Sequence, residues 1–174
     1  MTDALSPRAP AHVVGVSMGG IVAARAASLR GERFASLSLW SAPPRPDPLW
    51  MAFFARTPPE RLDPQTQRLA ALWHGEPYWR SLARGLFAYF AREEADPRAF
   101  ASVARPAGRA MVVQGDADEL LSPGDAELWR ARLDAPTEVV RVAGGGHAFF
   151  ADGRAGTHAA NRLLRAFLDG DDSP

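Results

Sequence analysis

The chain has no cysteine. That absence excludes thiol nucleophiles, disulfides, cysteine-held zinc and iron–sulfur ligation. Lysine is absent too, since all 20 basic residues are arginine. Without that amine there is no Schiff-base chemistry, no pyridoxal-phosphate anchor and no P-loop. The 20 basic residues face 20 acidic ones, so no net charge draws the chain to nucleic acid or an anionic membrane. No apolar run reaches the roughly 18 residues of a membrane span, and the opening MTDALSPRAP lacks the pattern of a signal peptide. The expectation is a soluble, cytoplasmic protein with no nucleic-acid and no membrane partner. What is present is a balance of 47% hydrophobic and 23% charged residues over 174 positions, the composition of a single globular domain. With thiol and amine both missing, a hydroxyl is the natural nucleophile.

Residues 12–16, HVVGV, form a short Val-rich run that reads as a buried strand, and the Ala-rich IVAARAASLRG reads as a helix with Gly31 as its stop. A second strand over 35–40 runs into a Pro-rich exit. Residues 42–109 differ in character. They hold ten of the 16 aromatic residues on helical patterns such as EPYWRSLARGLFAYFAREE, which points to a helical insertion. Strand–helix alternation then resumes: strands over 110–114 and 138–142, a helix between them, and a last helix near 157–168. In that helix Ala160, Leu163, Leu164, Phe167 and Leu168 share one face. This order predicts an α/β fold with a parallel sheet, divided into segments 1–41, 42–109 and 110–174.

The sharpest motif is Gly15-Val16-Ser17-Met18-Gly19 between the first strand and its helix. A serine on so sharp a turn needs tiny neighbours two positions away, and the helix behind it offers N–H groups to a developing oxyanion. Three fixed positions at ~7% usage each would arise by chance about 0.06 times in a chain this long. A serine hydroxyl needs a base and an orienting acid. Gly115-Asp116-Ala117-Asp118 follows the third strand and Gly144-Gly145-Gly146-His147 the fourth, where open α/β sheets keep their sites. His12, His74 and His158 carry no ligand spacing, so neither a metal nor a cofactor is expected. The triple glycine reads as a flexible loop rather than a phosphate cradle.

HVVGVSMGGIVAARAA, AMVVQGDADELLSP and AGGGHAFF together resemble the nucleophile elbow, acid loop and histidine loop of the α/β-hydrolase superfamily, over nearly the whole chain. Within it, the elbow and short helical cap are similar to esterases, enol-lactonases and polyketide methylesterases. The resemblance implies a parallel half-sheet of about four strands with flanking helices and a helical cap insertion. It makes Ser17 the nucleophile, His147 the general base and Asp118 the acid that orients it. Met18 would lend a backbone N–H to the oxyanion hole. Asp118 is preferred to Asp116 because the family pattern is Gly-x-x-Asp followed shortly by Pro, here Gly115, Asp118 and Pro123. Asp116 then bonds loop backbone. Cap aromatics such as Trp50, Phe54 and Trp79 become candidates for walling an apolar substrate.

The implied function is a serine hydrolase cleaving an apolar carboxylic ester or lactone through an acyl-enzyme. Esterase, lactonase and C–C hydrolase remain open. Members of the superfamily carry several strands before the elbow, whereas about 11 residues precede the elbow strand here. At ~30 residues per βαβ unit, the resemblance leads to the expectation that roughly 80 to 100 residues are missing. The strand around Val13 and Val14 is then an apolar open edge, a template for self-association or for a complementing chain. An isolated chain is expected to be unstable, oligomeric or weakly active. The alternative reading is a non-catalytic remnant that binds a partner.

Overall fold

The computed structural model describes residues 9–45, 59–62, 64–76, 78–93 and 103–170. These form two compact units, one of residues 1–44 with 102–174 and one of residues 45–101. The first unit contains β1 (Ala11–Val16), α1 (Met18–Arg30), β2 (Phe34–Trp40), β3 (Arg109–Gly115), β4 (Thr137–Val142) and two further helices. In the second lie α2 (Pro64–His74) and α3 (Tyr78–Glu93). The two helices that complete the first unit are α4 (Asp125–Arg132) and α5 (Gly153–Asp169).

The four strands make one parallel sheet in the order β1-β2-β3-β4. The sheet is thus the four-stranded parallel half-sheet with flanking helices that the sequence predicts. Its two inner strands are buried on both faces, as near-continuous apolar runs must be in a parallel sheet. One face packs on α1 and α4 through Ala23, Ala24, Ala27, Phe34, Leu37, Leu39, Val112 and Trp129. The opposite face packs on α5 through Trp40, Met111, Val113, Phe149, Ala160 and Phe167. Phe34, Leu37 and Leu39 are fully buried, each stabilising the core by about 1.5–3 kcal/mol. Among the described residues the outer edge of β1 has no strand partner, and Val14 is exposed there.

Alpha helix α1 ends differently from expectation. Gly31 keeps a right-handed φ of −55° and continues into a short 3₁₀ turn, so it is no left-handed stop. Its requirement is close packing, because a Cβ there would collide with the carbonyl of Arg105. The last helix begins four residues earlier than predicted, at Gly153, since the N–H of Gly156 closes on the carbonyl of Asp152. Of its predicted apolar face, Leu168 is exposed while Ala160 and Phe167 are buried.

In the helical unit, Gly75 takes a φ of +80° behind α2, and its N–H closes on the Ala71 carbonyl. Trp79 is buried at the start of α3, donates from Nε1 to Glu76 at 2.6 Å and lies under the Arg80 guanidinium. Tyr78 beside it is exposed. Trp50 and Phe54 fall outside the described residues, as do the side chains of Trp73 and His74.

Candidate active site

All four parallel strands point the same way, so the turns after them share one end of the sheet. Ser17 follows β1, Ser41 follows β2, residues 116–119 follow β3 and residues 143–147 follow β4. Backbone hydrogen bonds hold this end together: the N–H of Ser17 donates to the Trp40 carbonyl at 2.8 Å, and that of Ser41 to the Val113 carbonyl at 2.8 Å.

Ser17 sits at a φ of +49°, a conformation that costs a non-glycine residue of order 1–3 kcal/mol and persists only when its surroundings enforce it. The enforcement is visible. A Cβ on Gly15 would lie 2.6 Å from the Gly20 Cα and 2.9 Å from the Ala23 Cβ. Strand and helix therefore approach at backbone distance, and the chain must reverse within Ser17 itself. The second crowded position is Gly20, whose added Cβ would strike that of Ala42, whereas Gly19 has open space around it. The two-apart glycine spacing was thus half the reason. Helix–core packing at Gly20 supplies the rest. Met18 opens α1, and its N–H belongs to the first turn, which has no intrahelical acceptor.

His147 bridges the serine and the acid loop. Its Nε2 lies 3.0 Å from Ser17 Oγ, and its Nδ1 lies 3.1 and 3.2 Å from the two carboxylate oxygens of Asp118. An ionised carboxylate can only accept, so Nδ1 carries the proton and Nε2 is left to accept from the Ser17 hydroxyl. The Asp118 side chain is 1% exposed and that of His147 13%. Asp118 Oδ1 also accepts from the N–H groups of Leu120 and Leu121 at 2.9 and 3.1 Å. Burial alone would push the Asp118 carboxyl up. The hydrogen bond from His147, the two backbone N–H groups and the charge of the imidazole ring when it is protonated outweigh it and hold it below the ordinary carboxylate range.

Asp116 stands elsewhere. It is exposed, and its Oδ1 accepts from the N–H of Gly144 at 2.6 Å, a bond across to the histidine loop rather than within its own turn. Below the histidine loop, Phe149 is buried and stacks on Trp40 at 5.7 Å, with Phe150 edge-on to it at 5.5 Å. The ring anchors the segment that carries His147 into the core. His12 bonds Ser36 Oγ at 2.8 Å across β1 and β2, and His158 is exposed on α5. Among the described residues no three histidine or acidic side chains converge as metal ligands would. A cavity of about 320 Å³ opens behind the acid, lined by Gln114, Gly115, Asp116, Asp118, Leu121, Pro123 and Arg141, and Ser17 is not among its walls.

Two residues escape a sequence reading. Ser41 has a φ of +45° and a buried hydroxyl with no hydrogen-bond partner among the described residues, directly beside the strand end that holds Ser17. Glu119 accepts from the N–H of His147 at 3.1 Å. Its only signal in the sequence is one more carboxylate in Asp-Ala-Asp-Glu.

A model of the Alpha/beta hydrolase family matches residues 2–160. A comparison with curated proteins gives no match. Among solved structures, the peroxisomal alpha-beta-hydrolase Lpx1 of Saccharomyces cerevisiae is 16% identical with a TM-score of 0.61, over 97% of this chain and 57% of its own. The 2-hydroxy-6-oxo-6-phenylhexa-2,4-dienoate hydrolase of Rhodococcus sp. strain RHA1 is 20% identical with a TM-score of 0.62, over 92% and 64%. The monoacylglycerol lipase of Paleococcus ferrophilus is 16% identical with a TM-score of 0.54, over 92% and 69%. The chain thus spans from 57% to 69% of the length of these structures. A shared fold at such identity, with a family match over most of the chain, leaves one conclusion: the chain belongs to the Alpha/beta hydrolase family.

Proposed function

We propose that the chain is a serine hydrolase that cleaves an apolar carboxylic ester or lactone through an acyl-enzyme. The observation that carries this reading is the unbroken chain of hydrogen bonds from Asp118 through His147 to Ser17. In the proposed cycle Ser17 Oγ attacks the carbonyl carbon while His147 Nε2 takes its proton, and the Met18 N–H receives the oxyanion. Collapse breaks the bond to the leaving oxygen, to which His147 returns the proton. A water, deprotonated in turn by His147, then attacks the acyl-enzyme, and collapse frees the acid and restores Ser17. Asp118 stays ionised throughout and steadies the imidazolium.

Two neighbours in fold are a dienoate hydrolase and a lipase by name, which supports acyl chemistry on an apolar substrate. The helical unit is proposed as a cap, with Trp50, Phe54 and Trp79 as candidate contacts to an apolar substrate. A fluorophosphonate probe with mass mapping of the adduct tests the reading. Labelling at Ser17, lost in Ser17→Ala, is the expected result, and an unlabelled wild-type chain would refute it.

The outer edge of β1, unpaired among the described residues, favours a second reading, an interaction module that pairs with another polypeptide through that strand. The same experiment separates the two, since an idle serine does not label.

A further inference from the structure

Three groups of the acid loop, from Asp116, Ala117 and Glu119, bond to the backbone of the histidine loop. The Asp116 carboxylate takes the N–H of Gly144 at 2.6 Å, the Ala117 N–H donates to the Gly145 carbonyl at 3.0 Å, and the Glu119 carboxylate takes the N–H of His147 at 3.1 Å. The N–H of Asp116 adds a bond to the Val142 carbonyl at 3.1 Å. Between these ties the two backbones touch. A Cβ on Gly115 would collide with the Gly145 carbonyl, and one on Gly146 would sit 3.2 Å from Glu119 Oε2.

The segment being held has reason to need holding. Gly144, Gly145 and Gly146 in a row carry the largest backbone entropy of any tripeptide, and they belong to neither strand nor long helix. Their N–H groups must find acceptors outside regular structure, or water. Carboxylates make the strongest such acceptors, because a charged acceptor roughly doubles a hydrogen bond. Both Asp116 and Glu119 are exposed, so their bonds add little to overall stability. What they set is where the His147 backbone lies, and through it where the imidazole lies between Asp118 and Ser17.

We propose that Asp116 and Glu119 are positioning residues that grip the backbone of the histidine loop and so keep His147 in reach of Ser17. The inference rests on the hydrolase reading for its effect on rate, though the grip itself is independent of it. Asp118 holds the ring; its two neighbours hold the chain that carries the ring. The device explains why a loop with three successive glycines can present a histidine whose distances to two partners both fall near 3 Å.

The test uses the full chain with two readouts. In Glu119→Ala the amide hydrogen of His147 should exchange about tenfold faster, and in Asp116→Ala that of Gly144, with the melting temperature little changed. Glu119→Gln and Asp116→Asn keep an acceptor oxygen without the charge and should restore slow exchange. Fluorophosphonate labelling of Ser17 should slow about tenfold in each alanine variant, with kcat falling and KM unchanged on any ester turned over. The amide variants should stay near the wild-type rate. Unchanged exchange in the alanine variants, or amide variants that fall as far as alanine, would overturn the proposal. A wild-type chain that fails to label overturns the hydrolase reading instead, and the exchange readout still decides the grip.

Discussion

His147 Nε2 stands 3.0 Å from Ser17 Oγ, although the two residues are 130 apart in the chain. Only β2, β3 and β4, laid in parallel register beside β1, bring the distant loop to the same end of the sheet. A contact of this kind is bought with the whole core, and perturbing either side of it has distinct consequences.

Ser17→Ala should reduce ester hydrolysis by roughly 10⁴-fold or more, since the hydroxyl is the proposed attacking group. The strained φ of +49° is enforced by the close approach at Gly15 and should persist in that variant, so its melting temperature should match wild type. Ser17→Gly should also be inactive but melt higher by about 2–4 °C, because glycine adopts this φ without cost. Differential scanning calorimetry of the two variants checks the contrast.

Asp118→Asn should lower kcat by about 10³–10⁴-fold, as an amide can donate to Nδ1 and impose the wrong tautomer. It should also change the acid limb of stability. The folded-state pKa of Asp118 is lowered, with burial opposed by His147 and by the backbone N–H groups of Leu120 and Leu121. Its ionised form therefore stabilises the fold fully above the unfolded value of about 3.9. That contribution is lost as pH falls below this value and through the lower folded one. Urea titrations from pH 6 to pH 2 should show wild type losing this stabilisation over that window and Asp118→Asn not. Parallel curves would disprove it.

Gly19→Ala and Gly20→Ala should move stability in opposite directions. Gly19 lies in α1 with open space around it, so alanine should add about 0.5–1 kcal/mol through helix propensity. Gly20 faces the Ala42 Cβ, and the overlap should cost about 1–3 kcal/mol and displace Ser17. Urea midpoints and Ser17 labelling rates for the pair are the measurement.

Trp40→Ala removes a ring that is 4% exposed and stacked on Phe149. The cavity should cost about 3–5 kcal/mol. Because Phe149 anchors the histidine loop, activity should fall further than the unfolded fraction accounts for. Trp40→Phe should recover most of both. Comparing specific activity with the folded fraction by circular dichroism tests the coupling.

Much of this arrangement was legible in the chain, for reasons of scale. Val13, Val14 and Val16 announce a strand, and Gly15-x-Ser17 announces the turn after it, because backbone strain and side-chain size act within five residues. Which carboxylate meets the imidazole was read from a pattern around Gly115 and Pro123, whereas its distances come from the sheet register. Glu119 stayed hidden because its partner is a backbone N–H 28 residues away, and a main-chain group leaves no mark in a sequence. Gly31 and Gly20 were opaque for a related reason: each is small to admit atoms of Arg105 and Ala42 from distant segments. Gly153 and Gly156 looked like loop, yet α5 runs through both, since the Phe149 carbonyl needs the space at Gly156.

The backbone approach of β1 and α1 at Gly15 and Gly20 leaves Ser17 no freedom to drift. The backbone of the serine is fixed, while His147 and Asp118 ride on turns. On warming, such a site fails unevenly. The loops should loosen while the sheet is still intact, and inactivation should run ahead of unfolding. For anyone adapting the protein to heat, the profitable changes therefore lie after β3 and β4. Added stability at the elbow, as in Gly19→Ala, would raise the unfolding midpoint and leave that weak point as it is.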